Sequence, residues 1–252
     1  MPGQGPEKND HQVRANSLVS HLRELRQRLL YALAGLLIIF IALSPFASQI
    51  YSLVATPLIN HLLPGNQMIA TEVASTFLVP IKLCFYLSIF ISMPYLLYHA
   101  WAFIAPGLYE TERRFALPLL IISILLFYAG IAFAFFAVFP LLFAFFTSVA
   151  PEGVAVMTDI SRYLDFIMKL FFAFGLAFEV PIITIMLIRT ETTTVKALRK
   201  GRPYIILGAF VIGMFLTPPD VVSQLLLAVP IWLLFEIGLL LGRYFGREIK
   251  GD

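Results

Sequence analysis

The chain has 252 residues, of which 60% are hydrophobic and only 13% charged, against roughly 45–50% and about 25% in a soluble domain. Its 24 Phe alone outnumber the 18 Lys plus Arg, so too few charges remain to coat a water-facing surface. Despite a net charge of +3, these figures exclude an ordinary soluble fold, a disordered chain and a nucleic-acid-binding face, and they define a polytopic membrane protein.

A hydrocarbon layer about 30 Å thick takes about 20 apolar residues per helix, and only helices or closed barrels satisfy their backbone inside it. No stretch alternates as a barrel strand does. The expected class is therefore all-α, with six transmembrane helices in a single domain over 1–252. In chain order, a polar tail (1–16) precedes an amphipathic segment (17–28). There Leu18, Leu22, Leu25 and Leu29 recur at helical spacing, which predicts a helix lying at the membrane interface. Glu24 interrupts its row of Arg23, Arg26 and Arg28. It either pairs with Arg28 along the helix or accepts a cationic partner.

The first span, 29–46, is read as retained, because its apolar run is too long for a signal h-region. The second, 76–101, holds Cys84, the single cysteine, so no intrachain disulfide is expected. The loop after it, Ala102-Phe-Ile-Ala-Pro-Gly-Leu-Tyr-Glu-Thr-Glu-Arg-Arg114, sets Glu110 and Glu112 beside two arginines and makes a second acidic point. A carboxylate grips a guanidinium through paired hydrogen bonds, a geometry that lysine cannot match. Two separated carboxylates thus suit two arginines.

The third span, 115–147, is long enough to tilt or to project from the bilayer. The fourth, 163–188, carries Glu179 near its middle, roughly 15 Å along the axis from Arg189. With no basic residue near it in sequence, Glu179 is protonated, faces a hydrated cavity, or bonds a polar group from another helix; an intramembrane acid is by default a functional residue. The fifth span, 203–216, is too short for a full-thickness bilayer and implies local thinning. Asp220 stands in the turn before the sixth, 221–241, where it suits a helix cap. Within spans, Glu236 is placed to pair with Arg243, while Lys82 and Lys169 lie within snorkelling reach of an edge.

Fifteen of the eighteen Lys and Arg fall on the side of the chain termini, and only Arg162 falls on the other. The positive-inside bias then sets both termini in the cytoplasm. Pro80, Pro94, Pro118, Pro140, Pro181 and Pro230 remove backbone donors inside spans and predict kinked helices in a curved, open arrangement with a concave face. No H-E-x-x-H, G-x-S-x-G or P-loop is present and the four His are scattered, so neither enzyme chemistry nor a metal or cofactor is expected.

Several ordered stretches resemble one known family. They are His21-Leu-Arg-Glu-Leu-Arg-Gln-Arg28, Pro80-Ile-Lys82, Trp101-Ala-Phe-Ile-Ala-Pro106, Glu112-Arg-Arg114, Phe178-Glu-Val-Pro181, Leu198-Arg-Lys-Gly-Arg-Pro-Tyr204 and Gly213-Met-Phe-Leu-Thr-Pro-Pro-Asp220. Read together they look like the TatC family, the multispanning component of the twin-arginine protein translocase. The resemblance implies a receptor in the bacterial inner membrane that binds twin-arginine signal peptides of folded cargo at the cytoplasmic face. It further implies transport driven by the proton-motive force, with single-span TatA- and TatB-type partners and self-association in a larger complex. Its receptor residues carry over to Glu24 and Glu112, with Arg26, Phe103 and Leu108 nearby. The intramembrane acid carries over to Glu179, and Pro57 and Asp220 match further functional positions. The alternative drawn from the residues alone is a proton-coupled transporter of a small solute with Glu179 as its carrier carboxylate.

Overall fold

The computed structural model describes residues 6–59, 68–104, 116–149, 158–190, 192–216 and 220–245. Helix α1 runs unbroken over Pro6–Leu43 and passes through a 3-10 turn, Ser44–Phe46, into α2, Ala47–Ile59. The separate interfacial helix expected over 17–28 is therefore not an element of its own. No proline or glycine interrupts the chain between Pro6 and Gly35, so nothing ends the helix where the amphipathic stretch meets the apolar one. At Ser44 the hydroxyl turns back onto the Phe40 carbonyl at 2.8 Å, and Pro45 follows at the start of the turn.

The second span is α3, Ser75–Ile104, with Pro80 and Pro94 inside it. The third is α4, Ala116–Phe133, a π-helical segment Ala134–Val138 and α5, Phe139–Val149. Pro140 explains that segment. It has no N–H to return to the preceding turn, and the wider π turn absorbs the mismatch. The fourth span is broken in the same way. Helix α6, Ile160–Ala177, stops at a turn through Phe178 and Glu179, and Pro181 opens α7, Val180–Arg189. After a short α8, Val195–Lys200, come α9, Arg202–Leu216, and α10, Val221–Phe245, which holds Pro230.

Five of these apolar helices are long enough to cross a membrane: Val19–Val54, Ser75–Ile104, Leu117–Phe145, Ile160–Arg189 and Val221–Tyr244. The sixth, α9, has 15 residues, about 22 Å of helix. The expected shortness of the fifth span is thus present in the fold.

Packing runs as an open row. The first span lies on α3; α3 lies on α4 and α6; α7 lies on α10, and α10 on α9. None of the most apolar window of the first span is buried, whereas half of the corresponding window in the fourth span is. The core accordingly sits between α4 and α6, around Phe127, Phe139, Phe174, Ile167 and Leu170. There Gly130 lies against the backbone carbonyl of Phe174, and a Cβ on Gly175 would stand 2.5 Å from the Phe127 ring. Only glycine permits that approach of two helices. On the side opposite the basic loops, a two-residue parallel bridge joins β1, Met68–Ile69, to β2, Thr158–Asp159.

Candidate functional site

Antiparallel packing of α1 against the second half of α3 builds a polar and aromatic band. The His21 and Phe103 rings stack with centroids 4.3 Å apart and planes at 17°. One turn along α1, Arg28 donates to Glu24 Oε1 from Nε at 2.9 Å and from Nη2 at 2.6 Å. Further along, His99 is surrounded by Tyr31, Tyr95 and Tyr98, with centroids 6.1, 4.5 and 5.4 Å away. The Tyr95 hydroxyl donates to the Tyr31 carbonyl at 3.2 Å, and Gln27 Nε2 donates to the Tyr31 hydroxyl at 3.0 Å.

Both readings of Glu24 survive in this arrangement. The pair with Arg28 exists, but both of its bonds fall on Oε1. Glu24 is half-buried and Arg26 exposed. A pair of this kind along a helix contributes about 0.2–0.5 kcal/mol, so an incoming guanidinium displaces it at little cost. Phe103 is brought by α3 onto His21, three residues before Glu24 on α1. Leu108 and Glu112, the rest of the predicted acidic and apolar set, lie outside the described residues, as does the neighbouring Glu110. Pro57 lies in α2.

Glu179 is only 7% exposed. Its carboxyl faces the hydroxyl of Ser123 on α4, and its Oε1 is buried without a partner. Ser123, itself fully buried, also receives the Trp101 Nε1 hydrogen at 3.2 Å. The contact with Ser123 is of the kind in the third sequence alternative for Glu179, a polar group on another helix. Neither Ser123 nor Trp101 was singled out from sequence for this contact. A serine in an apolar run and a tryptophan at a membrane edge carry no signal beyond their usual roles.

Asp220 Oδ1 accepts the Ser223 backbone N–H at 2.7 Å, as expected of a cap, and its Oδ2 is buried without a partner. Two expectations about intramembrane charge change. Glu236 pairs with Arg202 at 2.6 Å and not with Arg243, because α10 packs back on α9 and brings the base of another helix alongside. Lys82 does more than snorkel: its Nζ donates to Asp165 at 3.1 Å and to Ser161 at 3.5 Å, beside an open cleft of about 390 Å³. On the same side, Asp159 caps α6 by accepting the Arg162 N–H at 2.9 Å. It also holds Thr71, from the preceding loop, through backbone and hydroxyl. These bonds, with that from the Thr71 hydroxyl the largest, keep its carboxyl down at about 2. Among the described residues no cluster of three or more His, Cys, Asp or Glu is placed to hold a metal ion.

The fold and its apolar helices define a multi-pass α-helical membrane protein. A family model described as "Sec-independent protein translocase protein (TatC)" matches residues 20–230. The chain is 60% identical over 233 residues to the Sec-independent protein translocase protein TatC of Azotobacter chroococcum, covering 92% of this chain and 90% of that one. It is 55% identical to the Escherichia coli K12 protein of that name over 228 residues, 90% and 88% of the two chains. A crystal structure of the twin arginine translocase receptor TatC superposes with a TM-score of 0.81 at 36% identity, covering 89% of this chain and 98% of that one. The chain belongs to the TatC family of Sec-independent protein translocase proteins. The small-solute transporter alternative finds no support among these relatives.

Proposed function

We propose that the chain is the signal-receptor subunit of a twin-arginine translocase in a bacterial inner membrane. Its basic loops and both termini lie in the cytoplasm, a reading supported by the fifteen-to-one division of loop Lys and Arg. The observation that carries the proposal is that Glu24 stands one helical turn along α1 from His21, whose ring stacks on Phe103. A guanidinium held by this carboxylate would have an aromatic pair one turn away, and aromatic faces attract cations. The two arginines of a signal peptide on a folded precursor dock on Glu24 and Glu112, with Arg26, Phe103 and Leu108 around them. The apolar stretch of the signal then runs along the open side of the row of spans.

Glu179 meets polar residues of single-span TatA- and TatB-type subunits, and the chain self-associates in the larger complex. Pro57 contributes from the end of α2, and Asp220 at the start of α10. The proton-motive force drives transport, with no bond chemistry performed by this chain.

Signal-peptide crosslinking and export are to be measured for Glu24→Ala and Glu112→Ala in membranes. Loss of crosslinking in either supports the docking assignment; wild-type recognition in both removes it. Substituting Lys-Lys for the Arg-Arg of the signal should also weaken crosslinking, because lysine offers no paired donors in one plane.

A further inference from the structure

The last turn of α3 has two working faces. Phe103 packs on His21 of α1, and Trp101, two residues earlier and so about 200° around the helix, sends its indole N–H into α4 at Ser123. An indole only donates, and a hydroxyl has a single proton. Ser123 accepts from Trp101 and keeps its own proton to offer Glu179, whose carboxyl it faces. The contacts run from Trp101 to Ser123 to Glu179. Its far end is unfinished, because Oε1 of Glu179 stays buried and unpaired, an unfavourable state for a carboxyl. Glu179 also sits at the edge of a lipid-facing strip, since Leu176 and Ile183, within one turn on either side, are 42% and 53% exposed.

We propose that Trp101 and Ser123 are positioning residues that hold Glu179 withdrawn, and that the last turn of α3 makes this hold depend on what sits against Phe103. A ligand that displaces the Phe103–His21 stack moves Trp101 on the same turn and weakens its bond to Ser123. Glu179 is then freed to accept hydrogen bonds from a neighbouring membrane helix, which gives the unpaired oxygen a partner. This inference rests on the reading of Phe103 as a signal contact and of Glu179 as the partner-facing acid.

The test uses the full chain in membranes with single-span subunits, a photo-crosslinker at Ile183, and a twin-arginine peptide added or withheld. In the parent chain the peptide raises crosslinking to the subunits. In Ser123→Ala and Trp101→Phe the yield without peptide rises to the peptide-bound level, a change of about fivefold for one hydrogen bond. The peptide then adds nothing, while Ser123→Thr, which keeps the hydroxyl, retains the parent response. The infrared carboxyl band of Glu179, defined by subtraction of the Glu179→Gln spectrum, shifts in Ser123→Ala and returns in Ser123→Thr. An unshifted band in Ser123→Ala overturns the inference, as does a peptide response that is absent from the parent or unchanged in both variants. Parent-level crosslinking in Glu179→Gln would instead overturn the partner-facing reading of Glu179, so the two failures are distinguishable.

Discussion

At the scale of the residue, Glu24 is where the proposed recognition is most directly tested. In the free chain its Oε1 is already paired with Arg28, so the docking proposed above would exchange one guanidinium for another. The internal pair spans one turn on a partly exposed face and is worth only a few tenths of a kcal/mol, whereas a charged hydrogen bond to a bound signal contributes about 1.5–3 kcal/mol. Glu24→Gln is therefore expected to weaken a labelled twin-arginine peptide by roughly tenfold or more, and Arg28→Gln to tighten it by no more than about twofold. Titration against the purified chain in lipid nanodiscs separates the two, and an equal loss in both variants would make the ion pair, not the carboxylate, the recognised feature. A second residue-scale test concerns Arg202 and Glu236, which meet at 2.6 Å across α9 and α10. Because both side chains are partly exposed, either single charge reversal should cost only about 1 kcal/mol of thermal stability. The double reversal should restore most of it, and a double reversal no better than the singles would show that the pair does not hold these helices together.

At the scale of the element, prolines and glycines decide how the spans bend and how closely they approach. The positions of Pro140 and Pro181 announced irregular helices in the sequence, and the π turn at Ala134–Val138 and the break at Phe178–Glu179 are where those irregularities fall. Which glycines touch a neighbour was not announced, because spacing along one helix does not say which helix faces it. Gly130 lies directly on the Phe174 carbonyl, while nothing lies within 4 Å of a Cβ built on Gly208. Gly130→Ala should consequently push α4 off α6 and destabilise by about 1–3 kcal/mol. Gly208→Ala, at a position of α9 where an added Cβ meets open space, should stabilise by about 0.5–1 kcal/mol through helix propensity. Thermal unfolding in one detergent reads both, and a loss at Gly208 equal to that at Gly130 would contradict the assigned contacts.

Across the whole molecule, what was legible in the sequence is what one helix dictates for itself: the number and class of the spans, the shortness of α9, the Glu24–Arg28 pair and the Asp220 cap. What was hidden depends on register between helices. Lys82 and Asp165 are 83 positions apart, and His21 and Phe103 meet only because α1 and α3 run antiparallel. The same holds for Thr71 and Asp159, 88 positions apart, which close the face opposite the basic loops by joining the segment before α3 to the start of α6. This closure has a pH signature with a definite sign. The Asp159 carboxyl is lowered from 3.8 to about 2, first by the Thr71 hydroxyl and then by backbone N–H groups. A group depressed on folding contributes stability that is fully present above its unfolded value and is lost as pH falls through its folded one. Spin labels at Val73, which is 97% exposed, and at Arg162 should therefore report one narrow distance above about pH 4 that broadens as the pH approaches 2. Asp159→Asn, which cannot ionise, should give a distribution independent of pH over that interval. A narrow distance persisting in the parent chain well below pH 2 would mean that the paired strands β1 and β2, and not the carboxylate, keep this face closed.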